Sequence, residues 1–157
     1  MALMERPFPK LRSVVLDSTG AHHLAEFYRR LLGYSYRAED EPGSESLDSP
    51  QQQDFLMLLS PDGSHRLSFQ RVGELPRSTW PSEDVPQQLH LDLSVVSRAE
   101  LDAQHERALA LGAQLLEDRS DDSEEPLRVY SDPAGHPFCI FLATSEPRQR
   151  AHHAEPV

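Results

Sequence analysis

The sequence predicts an α+β fold of two βαβββ modules in tandem. Their eight strands would curl into an open, barrel-like cup with both helices outside. Three observations predict it. First, the order strand, helix, glycine, strand, loop, strand, turn, strand runs twice along the 157 residues. Second, the landmarks of the two copies correspond. Leu31-Leu32-Gly33-Tyr34-Ser35 answers Ala110-Leu111-Gly112-Ala113-Gln114, and Pro61-Asp62-Gly63 answers Asp132-Pro133-Ala134-Gly135. Third, a segment at 73–86 that carries Pro76, Pro81 and Pro86 separates the copies. Either copy is too small to bury its own sheet, so the copies must pair side by side.

Residues 11–17 read as a first strand. Ser18 or Thr19 is placed to cap the helix that follows. Ala21, Leu24, Ala25, Phe27, Tyr28, Leu31 and Leu32 recur at helical spacing, and Gly33 sits where a left-handed cap ends such a helix. His22 and His23 fall in its first turn as exposed residues. Residues 34–38 read as a short strand, 39–50 as an acidic mobile loop, 54–59 as an apolar strand, and 65–72 as its hairpin partner across the Pro61-Asp62-Gly63 turn. The proline-rich 73–86 is a stiff strap over the surface. Its Trp80, the one tryptophan, either packs at the core edge or lines a ligand site.

The second copy opens on 87–96, where Leu89, Leu91, Leu93 and Val95 alternate with His90, Asp92 and Ser94. One face is aliphatic, and the other carries an imidazole beside a carboxylate. A solvated strand face gives the same pattern. Ser97-Arg98-Ala99-Glu100 is a capping box. Leu101, His105, Ala108, Leu109 and Leu111 continue the helical stripe up to Gly112. Strands are expected over 114–117, 127–131 and 137–142, with an acidic loop at 118–125. Residues 143–157 are polar, aperiodic and expected to be disordered. These boundaries make one domain over 11–142, with modules at about 11–72 and 87–142.

Composition narrows function. The formal charge is −11, from 26 acidic against 15 basic residues, so nothing neutralises a phosphate backbone and nucleic acid is excluded as a partner. The acid excess and the Trp80 strap suit a large, cationic or aromatic guest. No apolar run approaches the roughly 20 residues a membrane-spanning helix needs, and the N-terminal stretch lacks a signal-peptide core. One cysteine forbids an internal disulfide and suits a reducing compartment. The expected setting is cytoplasmic, with no membrane partner.

Phe27-Tyr28-Arg29-Arg30-Leu31-Leu32-Gly33, His90-Leu91-Asp92-Leu93, Leu111-Gly112-Ala113 and Asp132-Pro133-Ala134-Gly135-His136-Pro137-Phe138 resemble the vicinal oxygen chelate superfamily. That superfamily includes glyoxalase I, extradiol dioxygenases, fosfomycin-resistance enzymes and bleomycin-resistance proteins. The closest likeness is to its "glyoxalase-like domain" branch, over about 11–142. The resemblance implies a homodimer, and metal ligands pointing into the cup from four strands. It places those positions at Ser13, Ser68, His90 and Cys139. A hydroxyl is a poor ligand for a divalent ion, and one His with one Cys holds Zn²⁺ only with further ligands. Asp92 and Gln70 are the residues left to help, with Asp92 two residues deeper on its strand. The usual metal site is therefore not expected, although Zn, Ni, Mn or Fe remains a candidate cofactor.

Two functions follow from the resemblance. In one, the cup binds a small organic molecule without metal, against Ser13, Ser68, Gln70, Trp80, His90, Asp92, Tyr130 and Cys139. In the other, a lyase or isomerase uses His90 as acid and base, with or without a divalent metal. A structural subunit without a ligand is the third class. Cys139 is read as a packing residue in preference to a reactive thiol, and His136 as a rim residue.

Overall fold

The computed structural model describes residues 8–41 and 54–143. The loop expected over 39–50 and the tail expected over 143–157 lie outside the described residues, apart from 39–41 and 143. Two four-stranded sheets carry two helices, and neither sheet closes into a barrel. The first module runs β1 (Val14–Ser18), α1 (Ala21–Leu32), β2 (Ser35–Tyr36), β3 (Phe55–Leu59) and β4 (Arg66–Arg71). The second runs β5 (Leu91–Val95), α2 (Arg98–Leu111), β6 (Gln114–Arg119), β7 (Leu127–Ser131) and β8 (Pro137–Leu142). The strand orders are β1-β4-β3-β2 and β5-β8-β7-β6, the same path drawn twice. In each module the first strand lies parallel to the last, and the other pairings are antiparallel. The open α+β cup expected from the repeat is the observed architecture.

Local chemistry accounts for the helices. Both end on glycines in the left-handed region, Gly33 at φ 68° and Gly112 at φ 108°. Ser97 caps α2 by accepting from the Glu100 N–H. The Glu100 carboxylate reaches one residue further back than in a capping box, to the Val96 N–H at 3.0 Å. Helix α1 starts differently from expectation. Its cap is Gly20, while the Ser18 hydroxyl accepts from the Gly20 N–H and closes the preceding turn. Ala38–Asp40 forms a single 3-10 turn where the end of a strand and the start of a loop were expected. Buried Asp40 anchors it by accepting from Arg37 and from the Met57 N–H.

The core runs across both modules. Phe27 and Tyr28 of α1 meet Phe138 of β8 edge-on, at ring separations of 5.9 and 6.2 Å. Tyr130 stacks on Phe138 at 5.1 Å. Burying one such ring is worth roughly 1.5–3 kcal/mol, so this cluster welds the modules. The buried Tyr28 hydroxyl donates to Asp132 at 2.8 Å. Asp132, wholly buried, also accepts from the N–H groups of Ala134, Gly135 and His136. Burial raises the Asp132 carboxyl above its ordinary value, against the opposing hydrogen bond from Tyr28. Arg128 locks α2 to the second sheet through Asp102 and Asp118, at 2.9 and 3.1 Å.

Candidate functional site

Strand register decides which side chains share a face, because directly paired residues point the same way. In the second sheet, Leu91, Leu93 and Val95 pair with Phe138, Ile140 and Leu142 toward the helices. Asp92 pairs with Cys139, and Cys139 with Val129, on the opposite, cup-facing side. His90 stands one residue ahead of β5 and two before Asp92, so its side chain joins that face. The His90 Nε2 lies 3.3 Å from the Asp92 Oδ1. The ligand atoms of His90, Asp92 and Cys139 all fall within 4.8 Å of one another. Asp92 thus stands beside His90, although its place deeper on the strand counted against it in the sequence. The period-2 alternation carries that signal, since residues two apart on a strand are same-face neighbours.

The pair and the thiol differ in environment. The His90 and Asp92 side chains are 44% and 52% exposed, and Cys139 is buried. Burial pushes the Cys139 thiol up to about 11, and the charges of Asp92, Glu117 and Glu125 push the same way. The thiol is therefore neutral at physiological pH and behaves as a small packing group. It clusters with Leu127 and Val129, and Trp80 and Phe141 pack against them. Trp80 thus packs against an apolar cluster, and that cluster faces the second module's cup. The strap is fastened by Arg77, which donates to the Pro133 carbonyl at 3.0 Å and to Ser131 and the Asp132 carbonyl at 3.3 Å.

In the first module the Ser13 and Ser68 hydroxyls bond each other at 2.6 Å, and Ser68 is fully buried. Gln70 is exposed at the far end of β4, paired with Asp17 and Phe55. Tyr130 stands apart from the others. It pairs with Phe138 on the helix side, and its hydroxyl is 3.0 Å from His105 of α2. The sequence grouped it with the cup residues, but register turns it to the core. Ser13 and Asp92 both line a cavity of about 250 Å³ between the modules. A second cavity of about 260 Å³ lies under the strap, between Val15, Asp17, Leu89 and His136. Gln87, also on its wall, holds a buried side-chain oxygen without a hydrogen-bond partner among the described residues. No sequence pattern marks that glutamine.

A divalent ion can be tested against these donors. Ser13 and Ser68 are neutral hydroxyls already engaged with each other, and so offer no charged ligand. His90, Asp92 and Cys139 offer an imidazole, a carboxylate and a thiol within one small span, a set that fits an ion of the zinc type. Among the described residues, no helix is long and apolar enough to cross a membrane.

Comparison with known proteins agrees with the fold. A solved structure of a fosfomycin resistance protein FosX variant from Listeria monocytogenes, complexed with Mn(II) and 1S,2S-dihydroxypropylphosphonic acid, is 17% identical with a TM-score of 0.63. The similarity covers 93% of this chain and 99% of that one. A glyoxalase/bleomycin resistance protein/dioxygenase family enzyme from Burkholderia phytofirmans PsJN is 18% identical at a TM-score of 0.58, covering 82% of this chain and 94% of that one. Hypothetical protein SA1046 from S. aureus is 15% identical at 0.59, covering 85% and 97%. At these identities the likeness is one of fold. Comparison with curated proteins returns no match. The family model described as "Glyoxalase-like domain" matches residues 13–141. With that match, the repeated module and the open cup together, the chain belongs to the glyoxalase-like domain family of the vicinal oxygen chelate superfamily.

Proposed function

We propose that this glyoxalase-like domain binds a small organic molecule against the His90–Asp92 face of its cup, without the four-ligand metal site of its metal-using relatives. The observation that carries the reading is the division of the expected site into two unlike halves. The first-module half is a closed pair of neutral hydroxyls, Ser13 and Ser68. The second-module half is a solvent-open imidazole–carboxylate pair over a buried thiol. Such a pair offers both a donor and an acceptor to a guest, and the aliphatic and aromatic groups around Trp80 supply apolar contact. The boundaries 11–142, a cytoplasmic setting and a homodimer belong to the same reading.

The test is binding by tag-free protein treated with chelator. A thermal-shift screen of small metabolites is followed by calorimetry on the wild type and on His90→Ala. The expected result is binding without added metal, at least tenfold weaker in the variant, with the ligand recovered unchanged. Unaltered affinity in His90→Ala would move the site elsewhere.

A second reading is favoured by the close approach of three ligand atoms. His90, Asp92 and Cys139 would hold a divalent ion, with the thiol giving up its proton on binding. The ion would supply Lewis acidity toward a substrate oxygen. In the metal-free enzyme form, His90 oriented by Asp92 would move a proton as a lyase or isomerase does. Binding that requires added Zn, Ni, Mn or Fe favours the first form, and recovery of an altered ligand without metal favours the second.

A further inference from the structure

We infer that the cavity between the modules holds a small organic anion with an apolar body, its negative group taken by Arg12 and Arg66. The inference rests on the small-molecule reading above and names the chemical class of the guest. Acidic residues outnumber basic ones 26 to 15 in this chain, so a guanidinium left without a partner is unexpected. The other described arginines are all engaged. Most meet carboxylates, as Arg29 meets Glu26 and Arg128 meets Asp118. Arg77 and Arg107 donate to backbone carbonyls. The Arg12 and Arg66 side chains have no hydrogen bond or ion pair among the described residues, and both residues line the same cavity of about 250 Å³. They come from segments 54 residues apart, so the fold brings them to one place.

The rest of the lining fits the same guest. His65 and Tyr34 add polar hydrogens, and Leu32 and Leu91 provide apolar wall. Asp92 is the carboxylate in this lining, and it already faces the His90 imidazole at 3.3 Å. Asp62 lies close enough to raise the Tyr34 phenol, behind burial as the larger cause. Its carboxylate already accepts from Ser60 and Ser64. A guanidinium grips a carboxylate or phosphonate through paired, charge-assisted bonds, and an apolar wall strengthens them by excluding water. The volume lies just under the roughly 300–1,000 Å³ of drug-sized sites, which points to a small acid. The bulk acidity of the chain argued for a cationic guest, but the local charge at this cavity argues the reverse.

The test uses calorimetry on the full chain in low salt, with benzoate and phenylphosphonate as anionic probes and benzamide as the neutral isostere. Proteins are the wild type, Arg12→Gln, Arg66→Gln, the double variant and His90→Ala. The expected result is that benzamide binds at least tenfold more weakly than the anions. Each single arginine change should weaken the anions about tenfold and leave benzamide alone. The double variant should show no preference for charge. These side chains bond nothing else among the described residues, so melting temperatures should be unchanged. No anion binding at millimolar concentration, equal affinity for benzamide, or silence in both arginine variants would overturn the inference. His90→Ala separates the two readings. If it is silent while the arginine variants lose affinity, the anion site stands and the His90-centred reading falls. If it weakens every probe while the arginine variants are silent, the reverse holds.

Discussion

Gly135 offers the sharpest test of how the strap is held over the cup. It adopts φ +99°, and a Cβ built there would lie 2.9 Å from Arg77 Cγ, 3.0 Å from its Cβ and 3.2 Å from its Cα. The first contact could be relieved by swinging a side chain, but the last is backbone and requires the strap itself to move. Gly33 is the control. It adopts φ +68° with nothing within 4 Å of the built Cβ. Alanine at Gly33 therefore meets only the left-handed backbone penalty, about 1–2 kcal/mol. Alanine at Gly135 meets that penalty plus an overpacking cost of roughly 1–3 kcal/mol. Moving the strap also breaks the bonds from Arg77 to Pro133, Ser131 and Asp132. The expected loss is about 2–5 kcal/mol for Gly135→Ala, a large share of the roughly 5–15 kcal/mol typical of a domain. The assay is urea unfolding followed by circular dichroism and by Trp80, whose emission reports the strap because it is the one tryptophan. Only Gly135→Ala should also redden the native Trp80 emission, as the indole leaves Leu127, Val129 and Cys139. Equal losses at the two glycines with Trp80 unmoved would refute the account.

Two further outcomes follow from the site and its surroundings. Cys139 is the one cysteine, and its thiol is held up at about 11 by burial. Native protein at pH 8 should label with a disulfide reagent far more slowly than the unfolded chain, at one equivalent in total, and immediate full labelling would contradict the buried neutral thiol. Arg29, with Arg30 and Tyr36, holds the Glu26 carboxyl down at about 2, against an ordinary 4.5. A depressed carboxyl stabilises the fold above its unfolded value and loses that effect as pH falls through the folded one. Glu26→Gln should be less stable than wild type at pH 7. The gap should close between about pH 4.5 and 2, and a gap constant with pH would count against it.

Much of the architecture was legible in the residues. Period-2 and period-3.6 patterns, left-handed glycines and the Ser97 cap are local, and local rules reach a few residues. They place most strands to within one to four residues of those observed, and Gly33 and Gly112 end the helices as the glycine rule requires. Repetition supplied the topology, because two copies of one path make two sheets of the same strand order. The misplacements have equally local causes. Ser18 was a plausible cap until the chain took two more residues to turn, and Asp40 in an acidic stretch gave no sign of being buried.

The candidate site was legible only as a list. Sequence alternation put His90 and Asp92 on one polar face, and likeness to a family pointed to Ser13, Ser68 and Cys139. Only register between distant strands showed that Cys139 faces Asp92 and that Tyr130 turns to the helices. The composition of the chain determined its net charge, and that charge argues against nucleic acid as a partner. The tertiary structure decided where charge goes unanswered. Arg12 and Arg66 look like any other arginines in the sequence, and they differ because the fold sets both side chains on one cavity without an ion pair among the described residues. Pairing depends on distance in space, and no pattern along the chain encodes distances between segments that the fold has yet to bring together.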